Sequence, residues 1–263
     1  MTERAETTKG AGEPARKDVP QKQRWKIVFD VLMMMIWVFS SVIVAQLVVG
    51  YIMVWIIGTE AFQQPVPTAV FSALSYIVAL LMILFVPVKL SRIRNKKAGG
   101  RKAVVSRNVL GLNGLPTWTD IGLAPVGFIV YLILAAILMG IFSAFPWFDA
   151  EQAQDVGFSY YVQGLDRAVA FLTLVVVAPI AEEVIFRGWL YGKIRIKLSK
   201  IYANWVTIVI TSLLVSLLFG IVHLQWNVGV NVFALSIVLC GLREITGTIY
   251  AGILLHMLKN GIA

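Results

Sequence analysis

Ala178-Pro-Ile-Ala-Glu-Glu-Val-Ile-Phe-Arg-Gly188 sets two adjacent glutamates and an arginine directly after the apolar run Phe171 to Val177. A segment this apolar is long enough to enter a bilayer, where a charged side chain at a helix centre costs roughly 2.5–3.5 kcal/mol on insertion scales. Helical spacing puts Glu183 and Arg187 at i,i+4 with the acid first, the favourable order for an ion pair. Glu182 lies about 100° round the helix from Glu183, so Arg187 does not neutralise both acids alike. A paired acid beside an unpaired one points to a structural role for Glu183 and a chemical role for Glu182. The plainer alternative is a helix end at the membrane interface, with both acids wetted.

Composition supports the membrane reading. Of 263 residues, 59% are hydrophobic and 14% charged, against about 45–50% and about 25% in a soluble domain. The fold class expected is all-α: a polytopic membrane helix bundle of about seven transmembrane helices, the last one short. Ile27–Ile57 is almost wholly apolar and longer than the roughly 20 residues a span needs. Further spans are expected over Ala69–Leu90 and Ile121–Ala144, then from Arg167 to Lys200 with the glutamates, over Asn204–His223, and as a short helix over Val230–Leu242. Ile249–Ala263 forms a final helix too short to cross fully. Three regions follow: a polar, disordered tail over 1–24, N-terminal spans with a basic loop over 25–164, and the helices bearing the ionisable motifs over 165–263. The first apolar run starts too late and is too long for a cleavable signal peptide.

Charge placement orients the bundle. The formal net charge of +9 could suggest nucleic acid, yet the charges lie between apolar runs, as membrane topology requires, so no nucleic-acid partner is expected. Seven Lys/Arg in the first 26 residues and eight from Lys89 to Arg107 put the N-terminus and that loop in the cytoplasm of a multi-pass cell-membrane protein. An acidic loop before the fourth long span and a basic one after it fit the same alternation. The basic loop is read as an anchor at anionic lipid headgroups. The single cysteine, Cys240, rules out an internal disulfide and any multi-cysteine metal site, and is read as packing only.

Only two histidines are present, His223 and His256, both in apolar segments. A buried histidine is commonly a satisfied core residue, but ionisable groups in spans are functional candidates. Phe219 precedes His223 by one turn on the same face, and His256 and Asn260 project together at i,i+4. Counted from the turn near Tyr202, Glu182 and His223 lie about 30 and 31 Å deep on antiparallel helices. His256, roughly 12 Å into its own helix, is shallower and needs a tilt or a raised helix start to join them.

Glu182-Glu183-x-x-x-Arg187, Phe219-x-x-x-His223 and His256-x-x-x-Asn260 together resemble the three motifs of the CPBP family of intramembrane proteases, which includes the type II CAAX prenyl proteases and bacteriocin self-immunity relatives. The flanks Ala178-Pro-Ile, Phe186-Arg-Gly and Leu242-Arg-Glu agree, and no motif position departs. The likeness covers about residues 165–263. It implies an enzyme, a CAAX-type intramembrane endopeptidase often labelled a metalloprotease, acting on a membrane-anchored peptide or protein among membrane lipids. It further implies that Glu182 and His223 activate water, His256 and Asn260 stabilise the oxyanion, and Glu183, Arg187 and Phe219 support the site.

A zinc ion held by Glu182, His223 and His256 is the competing arrangement, since three N/O ligands plus water form a catalytic zinc pattern. Two histidines so far apart cannot make His-Glu-x-x-His, and metal-free catalysis with no cofactor is favoured here. Two other function classes stay open. Some relatives bind partner membrane proteins without cutting them, which would need no aligned acid and base. A transporter would show repeat symmetry, and none is visible.

Overall fold

The computed structural model describes residues 19–97, 106–151 and 164–262. Within them every regular element is helical. Residues 1–18 of the expected tail, Arg101 and Lys102 of the basic loop, and Asp155 of the acidic loop lie outside the described residues. Among the described residues, six helices are long and apolar enough to cross a membrane, so the chain is a multi-pass membrane protein.

Helix α1 (Gln21–Ile57) begins before the apolar run does, taking in the last residues of the expected tail. A single turn, α2 (Thr59–Phe62), leads into α3 (Pro65–Lys97). Pro65 and Pro67 fit the first turn of α3, where a missing N–H is not missed, so the helix starts earlier than Ala69. After the short α4 (Arg107–Leu110), α5 (Trp118–Phe142) is opened by a capping box: Asp120 N–H donates to Thr117 Oγ1 at 3.3 Å, and Thr117 N–H to Asp120 Oδ2 at 2.8 Å.

A continuous helical rod follows over Gly164–Leu198, 35 residues. It consists of α6 (Gly164–Phe171), a π-helical stretch Leu172–Val177, α7 (Ala178–Glu183), a second π stretch Val184–Leu190, and α8 (Tyr191–Leu198). Helix α9 (Asn204–Ile221) stops two residues short of His223, which stands in the turn that Leu224 closes at φ 57°. Helix α10 runs over Trp226–Thr246, 21 residues rather than a short Val230–Leu242 segment. The charges that marked its expected end are accommodated in its last turn: Arg243 donates to the carbonyls of Asn108 and Val109, both at 3.3 Å, and to that of Gly247. Helix α11 (Tyr250–Ile262), 13 residues, closes the bundle.

Two apolar cores result. One joins α1, α3, α4, the C-terminal half of the rod, α9 and, through Val228, Val232 and Cys240, α10. The other joins α5, α10 and α11. Helix α10 contributes to both, so the two cores meet along it, while α11 packs against α5 and the N-terminal half of the rod. Gly188 and Gly192, four apart, open a groove on the rod into which the Val109–Leu110 backbone settles; a Cβ at Gly188 would meet Leu110 O at 3.0 Å. Small residues at i,i+4 commonly admit such close backbone approach in membrane bundles.

Polar side chains gather at one end of the bundle. Asp30 at the start of α1 pairs with Lys197 near the end of α8. Glu244 accepts from Arg195 at 2.9 Å and from Tyr191 at 2.7 Å. Exposed Trp25, Trp118 and Trp205 sit at the starts of α1, α5 and α9, and exposed Trp55 near the end of α1, Trp147 after α5 and Trp226 at the start of α10 stand at the opposite level. Aromatic rings at both levels mark the two membrane interfaces.

Candidate active site

Glu182 and Glu183 end α7, between the two π stretches of the rod. Glu183 and Arg187 have no solvent exposure, and Arg187 Nη1 lies 3.0 Å from Glu183 Oε1. The i,i+4 ion pair expected from the sequence therefore forms inside the protein. The same Oε1 accepts a second hydrogen bond, from His256 Nδ1 at 3.1 Å. The Arg187 guanidinium also lies over the Phe219 ring, 4.4 Å from its centroid. The ring face is electron-rich and favours a cation there. Cys240 is fully buried nearby.

Glu182 differs. Its side chain is 13% exposed, and Oε2 stands 3.7 Å from His256 Nε2, beyond hydrogen-bond distance. Its other oxygen, Oε1, accepts from the Tyr76 hydroxyl on α3. The two glutamates are thus separated by environment: one sealed in a fully buried ion pair, the other open at one oxygen.

His256 reaches this depth because α11 is seated tightly on the rod. Gly252, one turn before His256, faces Glu183; a Cβ there would meet Glu183 Oε2 at 3.0 Å. That close approach supplies the raised helix position that residue counting left open. Asn260, a turn further on, donates through Nδ2 to Leu174 O at 2.9 Å. The rod geometry explains this bond. Ala178 N–H bonds back five residues to Thr173 O, and in that π register the next donor, to Leu174 O, would be residue 179. Residue 179 is proline and has no N–H. The Asn260 amide fills the vacancy, and since a side-chain amide has two N–H donors, one remains.

His223 joins the cluster through an aromatic contact. Its Nδ1 lies 2.7 Å from Phe219 O; a carbonyl only accepts, so this nitrogen carries a hydrogen and Nε2 is the ring nitrogen free to face the site. Phe219 meets both imidazoles edge-on, with centroids 5.1 Å from His223 and 6.0 Å from His256. The structure therefore brings Glu182, Glu183, Arg187 and His256 into direct contact. His223 is joined to them through Phe219, which touches both imidazoles, and Asn260 bonds to the first π stretch.

Tyr76 was missed by sequence reasoning. Its signal was a single phenol, next to Ser75, in the largely apolar span Ala69–Leu90, where a polar group faces protein rather than lipid. Among the described residues, no group of three His, Cys, Asp or Glu side chains is arranged to hold a metal ion. His256 Nδ1 is already committed to Glu183, leaving Nε2 and Glu182 Oε2 as the pair that could approach one.

Residues 164–262 match the family model described as type II CAAX prenyl endopeptidase Rce1-like. This part of the chain is similar to that family. Its limits enclose the rod, α9, α10 and α11, and with them all three motifs. Helices α1 to α5, Tyr76 included, precede it. No curated protein and no solved structure matched the chain.

Proposed function

We propose that the chain is an intramembrane endopeptidase that hydrolyses a peptide bond in a membrane-associated substrate. Prenylated CAAX-type segments are the substrate class that the Rce1-like match suggests. The observation that carries this reading is the division of labour between adjacent acids: Glu183 is locked to Arg187 and His256, while Glu182 keeps one oxygen open.

In the reaction, Glu182 with His223 draws a proton from water, and the water oxygen attacks the scissile carbonyl carbon. The carbonyl oxygen becomes an oxyanion, which accepts hydrogen bonds from the second N–H of Asn260 and from His256 Nε2, which carries a hydrogen only when the ring is an imidazolium, because the Nδ1 hydrogen is given to Glu183. Collapse breaks the C–N bond, and the proton held at Glu182 passes to the leaving amine. Glu183, Arg187 and Phe219 hold His256 in place. Each preorganised donor of this kind is worth roughly 3–4 kcal/mol of transition-state stabilisation.

The test is hydrolysis of a fluorogenic hydrophobic peptide by the purified protein in detergent micelles. Wild type is expected to cut it and Glu182→Ala to lose the activity while keeping its melting temperature. Retained cleavage in Glu182→Ala would remove that residue from its role. An inactive wild type that instead retains a membrane-protein partner would favour the non-proteolytic class. Activity is expected to survive chelation, with well under one zinc per chain. Stoichiometric zinc, with activity lost on chelation and restored by zinc alone, would replace the metal-free mechanism and leave the peptidase standing.

A further inference from the structure

We propose that Tyr76, outside the Rce1-like match, is a positioning residue that fixes which oxygen of Glu182 faces the reaction. The inference rests on the peptidase reading above and adds a residue from the N-terminal spans to its machinery.

A glutamate side chain has three rotatable bonds and two chemically equivalent oxygens. Without a partner, Glu182 could present either one and could swing toward the nearby His256. The Tyr76 hydroxyl removes that freedom by donating to Oε1. A carboxylate can only accept, so the phenol is the donor and its single hydrogen is spent there. Oε2 is left as the oxygen turned toward His256 Nε2, 3.7 Å away, and toward the reacting carbonyl. The tie is rigid at both ends. Tyr76 is part-buried on α3, whose neighbouring Ser75 is buried, and α3 packs along α6, α7 and both π stretches of the rod. A tyrosine also has only two side-chain torsions to fix. The site is therefore built across the boundary of the matched domain, with α3 supplying one wall and one hydrogen bond.

Tyr76→Phe removes one oxygen and keeps the ring, so the fold should be retained. With the same fluorogenic peptide and the full-length protein, kcat is expected to fall about tenfold to a hundredfold, the range that loss of one charge-assisted hydrogen bond gives. KM should stay within about twofold of wild type and the melting temperature should be unchanged, because the bond orients a reacting group rather than the substrate. A second readout needs no turnover. The infrared carboxylate band that disappears in Glu182→Gln should change frequency in Tyr76→Phe. An unmoved band, or unchanged kcat, overturns the proposal. If wild type cuts no peptide, the peptidase reading fails by itself, and the infrared comparison still decides whether Tyr76 holds Glu182.

Discussion

Glu183 carries the most demanding contacts of any acid in the site. It is fully buried and shares one oxygen between Arg187 and His256, while Glu183 Oε2 and Arg187 Nε and Nη2 have no hydrogen-bond partner among the described residues. A buried pair of this kind need not stabilise the fold relative to an apolar pair, but removing one charge strands the other. Glu183→Gln should therefore lower stability by several kcal/mol at most, roughly 3–5 if Arg187 is left wholly uncompensated. Thermal unfolding in detergent measures this, and a melting temperature equal to wild type would contradict the structural role. The contrast with Glu182→Ala, expected to lose activity and keep stability, separates the two acids by two independent measurements.

At the scale of the element, the rod is held together by a substitution of one donor for another. Pro179 leaves Leu174 O without its backbone partner, and Asn260 on α11 replaces it. Asn260 thus ties α11 to the rod in addition to its proposed work on the oxyanion. Asn260→Ala is expected to cost about 1–2 kcal/mol of stability, the usual penalty for an orphaned buried acceptor, and to lower kcat by roughly 10²–10³-fold with little change in KM. Pro179→Ala restores a backbone N–H that can serve the rod. In that background the stability cost of Asn260→Ala should shrink, while its effect on kcat should persist. Equal stability costs in the two backgrounds, read as a double-mutant cycle, would show that Leu174 O is not the shared partner.

For the whole molecule, the polar cluster of Asp30, Lys197, Arg195, Glu244 and Arg243 gathers the start of α1 and the ends of α8 and α10 at one membrane face. From the charge distribution we propose that this face is the cytoplasmic one. Cys240 is buried and the chain has no other cysteine, so an impermeant thiol reagent reads only an introduced one. In intact cells, Glu60→Cys should label from outside, and Lys22→Cys only after the membrane is permeabilised. The reverse pattern would invert the orientation without altering the fold.

The membrane class, the chain positions of the spans and the identity of the ionisable groups were legible in the sequence, because each follows from hydropathy and helical spacing along one segment. The Glu183–Arg187 pair was legible for the same reason: four residues of helix bring the two side chains together wherever the helix lies. Segment ends were less so. The capping box at Thr117 and Asp120 and the carbonyl partners of Arg243 moved the starts and ends of α5 and α10. What only the tertiary structure decided was contact between helices. Tyr76 on Glu182, His256 between two carboxylates through the close approach at Gly252, and Asn260 on Leu174 all depend on how α3 and α11 pack against the rod. Periodicity within a segment says which face a residue occupies, but the partner of that face is set by helix tilt and by small residues that admit close packing.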